Sequence, residues 1–364
     1  MIKILLQKIS LKINYEKRIY GLDIMRAMAI LIVMLGHSGP LLNNTFLQDF
    51  PFLSLIDGVE LFFVLSGFLI GGILLKEIEK PNFNLNALSN FWKRRWFRTL
   101  PNYYLILFVN ILLVYYQIIP GKKDRITASF LIFTQNFKEP LVDFFWESWS
   151  LSIEEWFYLL FGITIFISIK FLKNMPAYLL CTVLLIVLPL LYRISISDKI
   201  VNDFWWDVTF RKTVLCRLDA IGYGVLAAFI QKKYYKIWTK SKNTLLVVGL
   251  CILLYWPYAN VGYTSFFSKT FNFSILSIAS AMLLPFFNNI KTGRGVALKI
   301  FTYTSILSYS LYLINLSIVE QIIAGYIKFN GVFNYVLFWI ACYFLAYILY
   351  RFYEKPMMLL RDKV

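Results

Sequence analysis

The 364-residue chain is poorest in histidine, cysteine and charge: one His, four Cys and only 16% Asp, Glu, Lys and Arg. A single imidazole, His37, excludes a histidine-rich metal centre. The four cysteines, Cys181, Cys216, Cys251 and Cys342, are too scattered to replace one, so no metal is expected. All four lie in apolar runs and read as reduced packing residues rather than disulfide partners. Acidic residues are also scarce, 20 against 37 Lys and Arg, which leaves a net charge of +17. That charge does not point to nucleic acid. The basic residues cluster between apolar runs, as in cytoplasmic loops, and neither zinc-finger spacing nor a stacking-aromatic motif accompanies them. Residues 1–20 are basic without a long apolar core or small-residue cleavage site, so no cleavable signal is expected. No internal repeat or low-complexity linker divides the sequence.

Apolar residues are abundant. They make up 59% of the chain, with a mean hydropathy of +0.64, more than a soluble domain can hide. The pattern predicts an all-α, polytopic membrane bundle of about ten helices. Its spans cover roughly 21–38, 57–76, 99–119, 150–169, 177–193, 213–230, 244–260, 271–288, 302–325 and 332–352. With the N-terminus inside, cytoplasmic segments hold 25 Lys and Arg and external segments 10, with Arg26 and Arg217 inside spans. This bias predicts both termini in the cytoplasm. The organisation is then a basic cytoplasmic segment (1–20), a membrane domain (21–356) and a cytoplasmic tail (357–364). The basic stretch 121–125 falls outside in this scheme, and the apolar piece 126–133 is too short to span and reads as re-entrant.

Polar residues inside such spans mark candidate sites, because ionisable groups at that depth are costly. Arg26 and His37 are eleven residues apart on the first span, about three turns, and so share a face at about 16 Å separation. The second span opens with Asp57 and Glu60, near the depth of His37. Its small residues Ser66, Gly67 and Gly71 suit close helix approach. Arg94, Arg95 and Arg98 precede Pro101, which is suited to a helix start. Arg95 and Arg98 fall on one face, where they can clamp phosphate. A cluster of aromatic and acidic residues spans 144–158. In it Ser150 or Ser152 is expected to cap a helix with Glu154 and Glu155 in its first turn, while Trp149 and Tyr158 furnish an aromatic mouth for a sugar. Trp205 and Trp206 read as interfacial anchors. Arg217 and Asp219, two apart, do not face each other, so each pairs with another helix or lines a cavity. The run Ser308–Asn315, with Glu320 beyond it, places polar groups in the ninth span.

Six stretches in order resemble the acyltransferase-3 family of bacterial membrane O-acyltransferases. They are Leu22-Asp23 with Arg26 and His37, Gly58–Phe68, Arg95 and Arg98 before Pro101, Trp149–Tyr158, Arg217-Leu218-Asp219 with Gly222, and Glu354-Lys355-Pro356. The resemblance runs from about Tyr20 to Pro356. It departs at Asn315, where many members carry a second histidine. It also leads to no expectation of the extracytoplasmic esterase-like domain that some members carry. The resemblance implies an enzyme of the bacterial inner membrane that moves an acetyl group from cytoplasmic acetyl-CoA to a hydroxyl of an extracytoplasmic glycan or glycolipid, such as O-antigen or exopolysaccharide. His37 would act as base or as acyl carrier, with Asp57, Glu60, Glu154 or Glu155 orienting its ring. Arg26 would steady the donor or the thioester oxyanion, and Arg94, Arg95 and Arg98 would hold the donor phosphates. Trp149, Ser152, Tyr158, Arg217 and Asp219 would line the acceptor site. Two other classes use similar features. A glycolipid transporter or flippase needs intramembrane charge but often shows inverted repeats, and a non-catalytic subunit of a polysaccharide assembly complex has no need of His37.

Overall fold

A computed structural model of the protein describes residues 13, 15–16, 18–42, 45, 56–81, 83–199, 201–256, 259 and 262–361. Most of the basic N-terminal segment, and the tail beyond residue 361, lie outside the described residues. Among the described residues there is no strand, and nine helices are long and apolar enough to cross a membrane. In chain order the helices are α1 (Tyr20–Ser38), α2 (Gly58–Ile78), α3 (Leu85–Tyr115), α4 (Ser148–Ser168), α5 (Asn174–Ser195) and α6 (Val214–Lys233). There follow α7 (Lys242–Tyr255), α8 (Phe271–Asn289), α9 (Gly295–Ile314) and α10 (Gly331–Leu349). The seventh expected span, 244–260, corresponds to α7, which has 14 residues and is too short to count among the nine.

Helices α2 and α6 pack closely, and small residues make it possible. A Cβ on Gly67 would lie 2.0 Å from the Ile221 carbonyl oxygen, and one on Gly224 would lie 2.0 Å from that of Val64. Here the backbones themselves are in contact, as glycine permits between membrane helices. The two helices bring their polar residues into the same interior. The Arg217 guanidinium on α6 pairs with the Glu60 carboxylate on α2, and Glu60 also accepts from the Ser277 hydroxyl of α8. Two residues along α6, Asp219 accepts from Arg193 Nη2 on α5 at 2.7 Å, and Arg193 donates onward to the Thr270 carbonyl and the Ser274 hydroxyl. All four charged side chains are buried. Both guanidiniums stand over the Phe273 ring, that of Arg217 at 4.6 Å and that of Arg193 at 5.4 Å from its centroid. Arg217 and Asp219 thus satisfy the pairing expectation, each with a different helix. Arg193, expected at the outer edge of its span, is inside the bundle.

Several boundaries differ from those the sequence predicts. Pro101 lies in the middle of a 31-residue helix and does not start one. The basic stretch before it forms the first turns of α3, capped by Asn84, whose side chain accepts from the Ala87 amide. Neither Ser150 nor Ser152 caps α4, which begins at Ser148 after Glu147. Ser152 donates instead to the Ser148 carbonyl one turn back, and Ser150 bonds the Tyr312 hydroxyl. Residues 126–133 hold only a short 3-10 turn, Ala128–Leu131. This segment folds against the helices, with the Phe130 carbonyl accepting from Tyr103 and the Phe133 carbonyl from Trp156. Cys181, Cys216 and Cys342 are buried, Cys251 is exposed, and all four are free.

With no crossing between α3 and α4, the 116–147 segment is expected on the external side. In a Cys251→Ser background, Lys123→Cys should react with a membrane-impermeant maleimide added outside intact cells. Labelling only after the membrane is opened would place the end of α3 in the cytoplasm and overturn the orientation of the whole bundle.

Candidate functional site

The site is built where α1, α2, α3, α4 and α9 leave room between them. A cavity in the bundle centre is lined by Arg26 of α1, Ser66 of α2, Arg95, Arg98 and Thr99 of α3, Ser150, Glu154 and Tyr158 of α4, and Ser308, Tyr309 and Tyr312 of α9. A second cavity of about 400 Å³ opens toward the start of α1, between Arg18, Asp23, Arg26, Arg94, Arg95 and Arg98. Arg26, Arg95 and Arg98 line both. Together the two cavities form a path from one end of the bundle into its middle, with three guanidiniums at the junction.

Those guanidiniums differ from the others in the membrane interior. Among the described residues no carboxylate lies within ion-pair distance of Arg26, Arg95 or Arg98. Arg95 instead stands over the Tyr158 ring at 5.4 Å. The one carboxylate in the outer cavity, Asp23, is engaged by Arg18 and by the Ser305 hydroxyl at 2.7 Å. It fastens the start of α1 to α9 and leaves the cavity strongly positive. Uncompensated guanidiniums converging on a cavity form a site for a polyanion, and phosphate suits their planar forks. Arg95 and Arg98 fall on the cavity side because α3 is continuous through this region, so their three-residue spacing becomes a shared face.

Glu154 faces the inner cavity and accepts from the Tyr158 hydroxyl at 3.1 Å; that hydroxyl is also 2.7 Å from Ser66 Oγ. Glu155, the next residue, points the other way. It accepts from Thr99 at 2.8 Å and from the Trp96 indole at 3.1 Å, tying α4 to α3. The adjacent carboxylates therefore have different surroundings, and only Glu154 is open to the junction of the two cavities.

His37 sits at the other end of α1, beyond the inner cavity. Its Nδ1 meets Asn315 Oδ1. The Asn315 amide nitrogen donates to the Leu311 carbonyl at 3.0 Å and the Tyr312 carbonyl at 2.8 Å. Those carbonyls can only accept, so the amide oxygen is the atom turned to the ring. An oxygen acceptor at Nδ1 requires a proton there, which leaves Nε2 with the lone pair. The expected orienting carboxylate is thus an amide. Glu60 is bound to Arg217. Asp57 caps α2, accepting from the Val59 amide at 2.9 Å, and pairs with Arg211 at 2.8 Å. Burial would raise the Asp57 carboxyl, but Arg211 and Arg217 outweigh it and hold it below its usual range. Asp57, Arg211 and Lys212 are the charged groups near the imidazole.

Other expected acceptor contacts are not gathered here. The Trp149 ring is buried between Phe63, at 5.8 Å edge-on, and Arg211, at 5.3 Å, so it offers no open platform. Ser152 is turned onto its own helix, and Arg217 and Asp219 belong to the paired interior. Of that set only Tyr158 lines the cavity. Trp205 is exposed, as an interfacial anchor should be, whereas Trp206 stacks on Phe273 at 5.3 Å.

Glu147, which sequence patterns did not single out, is buried at the start of α4. Burial pushes its carboxyl up to about 7, against hydrogen bonds from Ser317 and Leu316 that favour the charged form. Its partners lie about 170 residues away, a distance at which no local spacing signal exists. Glu354, the acid of the last resembling stretch, accepts from Asn102 at 2.9 Å and Ser310 at 2.6 Å, and so fastens the end of α10 to α3 and α9.

Three guanidiniums thus converge where two cavities adjoin, and the lone imidazole lies further along α1, outside the lining of either cavity. A family model, described as an acyltransferase domain, matches residues 19–351, and the chain belongs to that family, acyltransferase-3. It is a multi-pass membrane protein. Among curated proteins it is similar to the O-acetyltransferase OatA of Staphylococcus aureus strain NCTC 8325, at 28% identity over 92% of this chain and 56% of the relative. The figures for OatA of S. aureus strain COL are the same. The chain therefore spans little more than half the length of the curated relatives it matches. No solved structure matches it.

Removing one partner of a buried pair leaves an uncompensated charge, at a cost of about 3–5 kcal/mol. Arg217→Met should therefore lower thermal stability sharply in detergent, and Arg217→Met with Glu60→Leu should recover most of the loss. A single variant as stable as wild type would show that the pair does not carry the α2–α6 interface.

Proposed function

We propose that this protein is a membrane O-acyltransferase that moves an acetyl group from cytoplasmic acetyl-CoA to a hydroxyl of an extracytoplasmic glycan or glycolipid, such as O-antigen or exopolysaccharide. The observation that carries this reading is the set of three guanidiniums without carboxylate partners at the junction of the two cavities. An arginine that faces a cavity within the bundle without a counter-ion is suited to a ligand that supplies one, and the phosphates of a coenzyme A thioester fit that need. Arg94, at the rim of the outer cavity, extends the same positive surface. The names of the O-acetyltransferase relatives support acetyl as the group transferred.

Arg26 and His37 are about 16 Å apart along α1 by helix geometry. That distance is comparable to an extended pantetheine arm, so phosphates held at the arginines would bring a thioester within reach of the imidazole. A sugar hydroxyl is a weak nucleophile near neutral pH and needs a base at hydrogen-bonding distance. His37 Nε2 takes the hydroxyl proton as the oxygen attacks the thioester carbonyl, and it returns that proton to the departing thiolate as the carbon–sulfur bond breaks. The same lone pair also serves a two-step route. In that route His37 Nε2 attacks the carbonyl and the carbon–sulfur bond breaks to release the thiolate; the acceptor oxygen then displaces the imidazole, whose freed Nε2 takes the hydroxyl proton and gives it up to the thiolate or to solvent. In both routes the Asn315 oxygen steadies the positive charge that forms on the ring, while Arg26, about 16 Å back along α1, steadies the donor. Glu154, hydrogen-bonded to Tyr158, is the carboxylate beside the path. Tyr158 is the proposed acceptor-site residue that the cavity retains.

Two measurements test the reading. His37→Ala should abolish acetylation of surface glycan, read as a 42-Da mass difference per site, while the protein remains in the membrane at wild-type level. Glycan acetylated at the normal rate would remove His37 from the chemistry. Arg95→Ala and Arg98→Ala should each raise the KM for acetyl-CoA at least about tenfold, the weight of one charge-assisted contact. An unchanged KM in both would return these arginines to a role in membrane topology.

A further inference from the structure

The helix that carries Asn315 is broken at that residue. From Gly295 the chain is α-helical to Ile314, winds as a π-helical turn over Asn315–Glu320, and resumes as α-helix over Gln321–Tyr326. Such turns have identifiable causes and gather at functional positions. The cause here is a carboxylate from another helix. In an unbroken α-helix the Leu316 amide would donate to the Tyr312 carbonyl. Instead it points to Glu147 Oε1 at 3.1 Å, and the Ser317 amide reaches the same oxygen at 2.6 Å. The Ser317 hydroxyl engages the other carboxylate oxygen. The Tyr312 carbonyl accepts from Asn315 Nδ2, and the Tyr312 hydroxyl donates back to the Glu147 carbonyl at 3.2 Å. With its amide nitrogen committed to two carbonyls of its own helix, Asn315 has only its oxygen to present to His37.

We infer that Glu147 is a positioning residue. By drawing the Leu316 and Ser317 amides out of the helix ladder, it makes Asn315 present an acceptor to His37 Nδ1 and so keeps the Nε2 lone pair for the reaction. Glu147 touches neither the imidazole nor the cavities, and its effect passes through the π-helical turn and one side-chain amide. The kinetic consequence rests on the proposed role of His37. The ring tautomer does not, and can be read separately.

Because the chain contains one histidine, 15N-histidine labelling of the full-length protein in lipid nanodiscs gives the two ring nitrogens of His37 alone. The wild type should show a single tautomer protonated at Nδ1. Glu147→Leu, which offers the amides no acceptor, should show a mixture of tautomers. Glu147→Gln, which retains a carbonyl oxygen for them, should stay with the wild type. Should Glu147→Leu not give monodisperse protein, Glu147→Ala carries the same test. In [14C]acetyl-CoA turnover on the cell's own glycan-bearing membranes, Glu147→Leu should lose at least tenfold in kcat with the acetyl-CoA KM within twofold. Combined with Asn315→Ala it should be no slower than Asn315→Ala alone, as for two residues acting in series. A wild-type ring protonated at Nε2, an unchanged tautomer in Glu147→Leu, or additive losses in the double variant would each overturn the inference. Loss of the His37→Ala phenotype would overturn the functional reading and leave the tautomer result standing.

Discussion

A guanidinium taken out of water must find a counter-charge, and this fold is arranged around which of its arginines do so within the protein. Arg217 finds Glu60 and Arg193 finds Asp219, in the same interior layer and both over the Phe273 ring. These pairs join α2, α5, α6 and α8 through contacts that would be ruinous if half-made. They also explain why glycine stands at the α2–α6 crossing, since Gly67 and Gly224 let the backbones come close enough for side chains on both helices to share one layer. Among the described residues Arg26, Arg95 and Arg98 have no such partners, although they come from helices that are also apolar enough to span. The contrast separates the arginines paired within the bundle from those that face its cavities.

The pairing could be anticipated from the sequence only halfway. Arg217 and Asp219 are two apart and so had to look to different helices, which is a matter of helix geometry alone. The identity of each partner depends on which helices touch, and nothing local in the chain encodes that. Arg193 shows the limit. Hydropathy puts it at the end of a span, where a lysine or arginine commonly reaches the interface, yet the α5–α6 packing carries it inside. Sequence alone leaves Arg217 and Asp219 equally suited to an acceptor site and to ion pairs. Two neighbouring polar residues close to both ends of a span look the same whether they line a cavity or close one.

Local pattern did better with the arginines of α3 and with α1. Three-residue spacing puts Arg95 and Arg98 on one face in any helix, whether the helix starts at Pro101 or, as here, runs through it. The same arithmetic puts Arg26 and His37 on one side of α1. It was less informative for the acidic cluster. Glu154 and Glu155 are adjacent, so the 100° turn between them separates a carboxylate open to the cavity from one bound to Trp96 and Thr99. Periodicity requires that they diverge, but only the position of α3 decides which one faces the path. Trp149 illustrates a related limit: aromatic density near a membrane surface serves packing as readily as sugar stacking, and its ring packs against Phe63 and Arg211.

Asn315 stands where many family members have a histidine, and the substitution changes what the position can do. A histidine there could donate or accept, and could share a proton with His37. An asparagine whose amide nitrogen is committed to Leu311 and Tyr312 can only accept. It cannot carry a proton onward, so a relay through two imidazoles is not available to this chain. What it supplies is a fixed orientation and a dipole aimed at one ring nitrogen, and a side chain with two χ angles holds that only if its amide is prevented from turning over. The π-helical turn provides the constraint by leaving the Tyr312 carbonyl as a second acceptor for the Asn315 amide. Where a histidine could share a proton with His37, this asparagine orients the ring and offers it an acceptor only.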